Sequence, residues 1–200
     1  MTSIFNSALA SSLTYNEYRE WIRKQLALGL STGDEQSEAL THYSELNEAR
    51  MRRLDKTLHI LPEVSAALLP YKAKWIGLAL AEGWCGDAAQ IVPIWHKMAE
   101  ETQAFSLHIV LRDRHDELMQ LFLTNGTKSI PKLIVLDAQT HELVAHYGPR
   151  PVGAQQLMTN YKALHGQIDD NAKTKLQKWY LNDKGYSVQL ELTELLTKTS

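Results

Sequence analysis

The segment Glu82–Gln90, EGWCGDAAQ, contains the only cysteine of this 200-residue chain, Cys85. A thiol at the start of a helix is a candidate nucleophile, because backbone N–H groups and the helix dipole favour a thiolate there. A dithiol redox centre needs a second cysteine three residues later, where this chain has Ala88. An external thiol must then resolve any mixed disulfide that forms. The sequence therefore limits Cys85 to single-thiol chemistry.

Three interpretations of Cys85 stay open. It can exchange with disulfides as a monothiol centre that an external thiol such as glutathione resolves. It can be oxidised by peroxide to a sulfenic acid that an external thiol then reduces. It can also be a small buried residue without chemistry. Asp87 bears on this choice, because a nearby carboxylate raises a thiol pKa, although an acidic residue also simply favours a helix start.

Composition and charge argue against several classes of function. The net charge is −2 and no basic stripe is present, so we expect no nucleic-acid partner. No stretch is apolar enough to span a membrane, and residues 1–13 lack the basic start of a signal peptide. Histidine spacing and glycine patterns match no ligand motif, so we expect no metal and no cofactor. One cysteine fits a reducing compartment, and we expect a cytoplasmic protein without membrane contact.

The elements that must position Cys85 follow an α/β pattern. WIGLALA, at 75–81, is an apolar run typical of a strand covered on both faces. The next predicted elements are a helix over 86–103, a strand at 105–112, a helix over 116–123, a hairpin at 132–148 and a helix over 153–164. A βαβ crossover followed by a hairpin predicts a mixed central sheet with helices on both faces.

Helical segments flank this domain and carry apolar stripes that predict packing on it. A capping box at Thr14 and Glu17 starts the first of them. The first predicted helix ends near residue 29, the second runs from 34 to about 58, and a short one follows Pro62. Two more are predicted at 169–184 and 186–198, although the first residues of the last one alternate like a strand. We divide the chain into a helical N-terminal extension at 1–71, a central domain at 72–165 and a helical C-terminal extension at 166–200.

The central domain resembles the thioredoxin superfamily in the order and separation of four features. They are Trp84-Cys85-Gly86 between a strand and a helix, Pro93 inside that helix, Ile130-Pro131 opening a strand, and Gly148 after the hairpin. The resemblance covers roughly half of the chain and implies a thioredoxin-like fold, here with helical N- and C-terminal extensions. The W-C-G-D-x motif is similar to that of a branch without the second active-site cysteine.

The resemblance also implies roles for residues around Cys85. Ile130 and Pro131, joined by a cis peptide bond, would hold the backbone of an extended substrate or of glutathione. A trans proline that starts a strand is the ordinary alternative. In the 111–117 loop, Arg112 would approach the thiolate and Asp113 would bond the Trp84 indole, unless the loop is an exposed turn.

Other positions near the site depart from the thioredoxin pattern or have plain explanations. The buried aspartate beneath the thioredoxin dithiol has no counterpart, because Leu78 and Ala79 occupy that region. Lys132 could attract an anionic substrate or simply be solvated, and we expect it to be solvated. Trp84 is either a rim contact for partners, as tryptophans in binding hot spots are, or a packing residue.

These residues lead to two hypotheses of different classes. The first is a monothiol thiol–disulfide oxidoreductase, or peroxide-reactive thiol, with Cys85 as the catalytic residue. The residues that would shape its site are Trp84, Gly86, Asp87, Ala88, Arg112 and Asp113. Its partners would be a disulfide-containing protein or a glutathione-type small thiol. The alternative is a non-catalytic thioredoxin-fold module that binds protein segments and in which Cys85 is incidental.

Overall fold

A computed structural model describes residues 1–199 of the chain. The helices are α1 (Thr2–Ala10), α2 (Tyr15–Ala27), α3 (Glu38–Thr57), α4 (Pro62–Leu68), α5 (Gly86–Thr102), α6 (Asp116–Gln120), α7 (Val152–His165), α8 (Asp170–Asp183) and α9 (Tyr186–Lys198). The strands are β1 (Trp75–Ala81), β2 (Phe105–Leu111), β3 (Lys132–Asp137) and β4 (Leu143–Tyr147). Short 3-10 turns occupy Leu69–Tyr71 and Arg112–Arg114.

The strands form one mixed sheet in the order β2-β1-β3-β4. β1 runs parallel to β2 and antiparallel to β3, and β4 pairs antiparallel with β3. The apolar run of β1 places it at the centre of the sheet, where Leu78, Ala79 and Leu80 are fully buried. With helices flanking this sheet, the predicted α/β architecture, a mixed central sheet with helical extensions, is confirmed.

The N-terminal helices match the predicted pattern only in part. α2 begins with the capping box of Thr14 and Glu17, as expected. The prediction that the next helix begins at residue 34 was wrong, because Ser37 caps α3 and the helix begins at Glu38. The preceding residues make tertiary contacts instead, and Thr32 donates from there to Glu82.

The first helix, α1, was not predicted, and it covers an edge of the sheet. Leu13, just after it, exchanges two backbone hydrogen bonds of 2.8 Å with Ile109 of β2. Phe5 is buried on the inner side of the helix. The N-terminal segment thus protects part of the exposed strand edge, which would otherwise present unpaired backbone groups.

The later elements follow the hydrophobic pattern closely. α6 ends at Gln120, three residues earlier than predicted, whereas α9 is a helix throughout Tyr186–Lys198, as preferred. Over residues 1–199, none of the helices combines the length and the hydrophobicity that crossing a bilayer requires.

Candidate functional site at Cys85

Cys85 is the N-cap residue of α5, and its side chain is enclosed. Its Sγ accepts the backbone N–H of Ala88 at 3.4 Å and lies 3.3 Å from the carbonyl oxygen of Ile130. Only 7% of the residue is exposed. A carbonyl oxygen can only accept a hydrogen bond, so the Cys85 S–H is the donor in this contact. The arrangement therefore fits the protonated thiol, because a thiolate would face the oxygen lone pairs.

The electrostatics of the site favour the same protonation state. Burial, followed by the negative charge of Asp87, raises the pKa of Cys85 to about 12. The backbone N–H groups of Ala88 and Asp87 and the cation of Arg150 oppose this rise in pKa. The helix-terminus effect expected from the sequence is present, but desolvation outweighs it.

Asp87 is buried and joins three parts of the chain. Its Oδ2 accepts hydrogen bonds from Arg150 Nη2 at 2.7 Å and Nε at 2.9 Å, and its Oδ1 accepts from the Tyr180 hydroxyl at 2.7 Å. Arg150 lies in the loop after β4, and Tyr180 belongs to α8. Asp87 therefore links the Cys85 segment to the hairpin and to the C-terminal extension.

The Ile130–Pro131 peptide bond is cis, as the sequence interpretation favoured. Ile130 is buried and turns its carbonyl oxygen toward Cys85. The expectation that Lys132 is solvated was wrong, since only 2% of the residue is exposed. Its Nζ donates to Thr124 Oγ1 at 2.9 Å and to the Gly148 carbonyl oxygen at 3.0 Å. Lys132 thus ties β3 to the segment after the hairpin.

Gly148 permits the chain to pass close to Pro131. Its φ is +103°, and a Cβ at this position would lie 2.4 Å from the Pro131 carbonyl oxygen. We expect Gly148→Ala to lower the free energy of unfolding by at least about 2 kcal/mol, from a left-handed backbone conformation and a clash with backbone. Urea denaturation measures this loss.

A second glycine provides the control for Gly148→Ala. Gly126 has a φ of +74°, and apart from its chain neighbours no atom of residues 1–199 lies within 4 Å of the place that an added Cβ would take. Gly126→Ala should therefore cost only the conformational part, about 1 kcal/mol. Equal losses in the two variants would show that the close approach at Pro131 contributes nothing.

Arg112 and Asp113 pair with each other beside Trp84. The Arg112 guanidinium carbon lies 4.7 Å from the centre of a Trp84 ring, and Arg112 Nε donates to Asp113 Oδ1 at 2.7 Å. Asp113 Oδ2 accepts the backbone N–H of Asp34 at 3.2 Å. The expectation that Asp113 accepts a hydrogen bond from the Trp84 indole was wrong for residues 1–199. Arg112 lines the groove with Cys85, while Arg150 is the cation that lowers the thiol pKa.

A buried carboxylate that sequence reasoning missed lies at the end of β1. Leu78 and Ala79 are apolar and buried as expected, but Glu82 is fully buried as well. Its carboxylate accepts the Thr32 hydroxyl at 2.5 Å and the backbone N–H of Asp113 at 3.1 Å. Burial raises the pKa of Glu82 to about 7. The signal available was a glutamate directly after an apolar strand and before W-C-G.

Two cavities meet at Cys85. The first, of about 270 Å³, is the groove between Trp84, Ile130 and Pro149. The second, of about 660 Å³, lies between α3 and α8 and reaches Gly86. Ala88, at the position where a resolving cysteine would stand, is buried and lines neither cavity. The helical extensions therefore wall one side of the site and leave the groove open on the other.

Residues 1–199 bring no three histidine, cysteine, aspartate or glutamate side chains together in a metal-binding arrangement. The groups available for chemistry around Cys85 are its thiol, the Asp87–Arg150 and Arg112–Asp113 ion pairs, and backbone hydrogen-bonding groups.

Comparison with known proteins gives a family and a fold. A family model described as thioredoxin matches residues 33–162. The crystal structure of a protein of unknown function from Pseudomonas aeruginosa superposes with a TM-score of 0.65 at 13% identity, over 96% of each chain. An HIV epitope scaffold superposes with a TM-score of 0.56 at 14% identity, over 94% of this chain and 100% of its own. No curated protein matches the chain.

Proposed function

Because the chain belongs to the thioredoxin family, we propose that it binds an extended protein segment in the groove beside Cys85, without thiol–disulfide turnover. The observation that carries this proposal is the 3.3 Å contact between Cys85 Sγ and the Ile130 carbonyl oxygen. This contact fits a protonated thiol, whereas thiol–disulfide exchange requires a thiolate. Ala88 also removes the second thiol that would release a product.

The groove provides the features that bind a protein segment. Ile130, which precedes the cis proline Pro131, lines the groove, and extended peptides bind by hydrogen bonding to exposed backbone groups. Trp84 lies half-buried at its rim, where Arg112 stacks on the ring and fixes it. A fixed tryptophan beside a concave surface is a typical anchor for a partner. We further propose that the protein acts in the cytoplasm and belongs to a W-C-G-D-x branch without the second cysteine.

Two observations support a second candidate, a monothiol oxidoreductase or peroxide-reactive thiol that depends on an external thiol. The Ala88 N–H points at Cys85 Sγ, and this donor would stabilise a thiolate. Arg150 also neutralises much of the opposing charge of Asp87. This chemistry requires Cys85 to become exposed, and a disulfide-containing protein or a glutathione-type thiol would then be its partner.

A turnover assay separates the two candidates. Wild type and Cys85→Ser are compared with glutathione and a small disulfide such as hydroxyethyl disulfide, and separately with peroxide and glutathione. We expect both proteins to give the uncatalysed rate in both assays. A rate that wild type shows and Cys85→Ser lacks would replace the binding proposal with the monothiol enzyme.

Binding is tested with an extended peptide that carries no free thiol, the S-carboxymethylated B chain of insulin. Saturable binding to wild type and to Cys85→Ser is expected, with a loss of at least tenfold in Trp84→Ala. Trp179→Ala is the matched control, because Trp179 is also half-buried but lies on α8 against Gly153. The groove assignment fails if Trp84→Ala and Trp179→Ala bind the peptide equally well.

A further inference from the structure

The larger cavity adjoins the peptide groove at Trp84 and Cys85, and the helical extensions form much of its wall. Its volume of about 660 Å³ is in the range of sites that bind small organic molecules. Most of its wall surface is apolar, and the apolar side chains that line it are Leu40 and Tyr43 from α3, Leu176 from α8, and Trp84. The sequence pattern had assigned Leu40 and Tyr43 to the buried side of α3, yet both are only half-buried because they face this cavity.

One of the cationic side chains that line the cavity has no carboxylate partner within residues 1–199. The cavity lining includes three cations and two carboxylates. Arg150 pairs with Asp87 at 2.7 Å, and Lys173 pairs with Asp170 at 3.0 Å. Arg50 is half-buried and, within residues 1–199, no carboxylate oxygen lies within 4.0 Å of it. Burial and the neighbouring Arg53 lower the pKa of Arg50, as expected for a cation without an anionic partner.

Arg50 is held in place by a chain of buried amide contacts. Its Nη1 donates to Asn47 Oδ1 at 2.6 Å, one turn earlier on α3. The Asn47 amide in turn donates to the Gly83 carbonyl oxygen at 2.9 Å, and Asn47 is fully buried. The guanidinium is thus fixed to the Cys85 segment and leaves its other N–H groups for a ligand.

A second donor converges on the same point of the wall. Gln177 Oε1 accepts from Gln90 at 2.8 Å, which turns the Gln177 amide nitrogen away from that partner. No acceptor for this nitrogen is found in the described part of the chain. The Cβ position at Gly86 lies 3.4 Å from Gln177 Nε2 and 3.7 Å from Arg50 Nη1. Two N–H donors therefore meet where Gly86 leaves room for a ligand.

We propose that this cavity binds a small organic carboxylate with an apolar body. The carboxylate accepts hydrogen bonds from Arg50 and Gln177 beside Gly86, and the apolar body packs against Leu40, Tyr43 and Leu176. A planar guanidinium binds carboxylates in two-point geometry, and the apolar walls add affinity by removing the ligand body from water. The cavity adjoins the peptide groove and shares Trp84 and Cys85 with it. Arg50 and Gln177 line only the cavity, however, so carboxylate binding can be tested independently of peptide binding.

The test uses 4-phenylbutyrate as the probe, with two analogues of the same body: neutral 4-phenylbutan-1-ol and cationic 4-phenylbutylammonium. Binding to the full chain is followed by shifts of the Trp84 indole resonance. We expect the carboxylate to bind at least tenfold more tightly than the alcohol, and the ammonium not to bind. Arg50→Gln should reduce carboxylate affinity at least tenfold, whereas Arg53→Gln, an exposed neighbour on α3, should leave it unchanged.

A second variant tests the same cavity independently, in case Arg50→Gln does not fold. Thr174 is exposed and lines the cavity, so Thr174→Trp fills it without disturbing the core. This variant should abolish binding of 4-phenylbutyrate and retain binding of the insulin B-chain peptide, which distinguishes this site from the groove. Equal affinity for carboxylate and alcohol, an unaffected Arg50→Gln, or full binding by Thr174→Trp would each overturn the proposal.

Discussion

Glu82→Gln is expected to stabilise the protein at pH 7 by about 3 kcal/mol. The folded state raises the pKa of Glu82 from 4.5 to about 7, because the carboxyl is buried. Between pH 4.5 and about 7, Glu82 has lost its proton in the unfolded chain but keeps it in the folded chain. The free energy of unfolding of the wild type therefore falls as the pH rises through this range. Each unit of pH costs about 1.4 kcal/mol, which gives about 3 kcal/mol by pH 7.

Urea unfolding of both proteins from pH 4 to 8 measures this effect. Glutamine has the shape of the protonated side chain: its amide oxygen can accept the Asp113 N–H, and its amide nitrogen can donate to the Thr32 hydroxyl oxygen. The two proteins should therefore be about equally stable near pH 4.5 and should diverge as the pH rises. Parallel stability curves would show that Glu82 does not hold its proton in the folded state.

Arg150→Met is expected to destabilise the protein by about 3 kcal/mol. It removes the cation from a buried carboxylate, and Asp87 would keep only the Tyr180 hydroxyl as a side-chain partner. Removing one partner of a buried ion pair costs about 3–5 kcal/mol, and the lower value applies because 31% of the Arg150 side chain is exposed. The same change should raise the pKa of Cys85 further, since Arg150 lowers it.

The double variant Asp87→Asn with Arg150→Gln is the matched control. Both side chains keep hydrogen-bonding groups, and no buried charge is left without a partner. Its stability should lie well above that of Arg150→Met, because the penalty of an uncompensated carboxylate is gone. If the double variant is as unstable as Arg150→Met, shape rather than charge sets the effect at this position.

Much of the fold could be predicted because its signals are local. The apolar run at Trp75–Ala81 and the helix that follows it were predicted within a residue or two of their observed ends. The start of α3 could not be predicted from its pattern, since the contact between Thr32 and Glu82 decides where the preceding residues lie. For α1, the edge of β2 that it covers is almost 100 residues away in the chain.

The sequence predicted the site residues only at positions that match the thioredoxin motifs. Cys85, Ile130 and Pro131 come together as that pattern implied. Arg150 and Tyr180, the side-chain partners of Asp87, come from a loop and a helix whose spacing carries no motif. Lys132 shows the same limit, because its acceptors come from distant backbone and side-chain groups that allow a lysine to be buried.

The rate of Cys85 alkylation by iodoacetamide as a function of pH tests most directly whether the thiol is protonated in the folded protein. The urea-unfolded chain is the reference, since its thiol should have a pKa of about 8.5. We expect the folded protein to react on the order of 1000-fold more slowly at pH 7, with no inflection below about pH 10. An inflection at or below pH 8.5, with a folded rate equal to or above that of the unfolded chain, would contradict the proposed function and favour the monothiol enzyme.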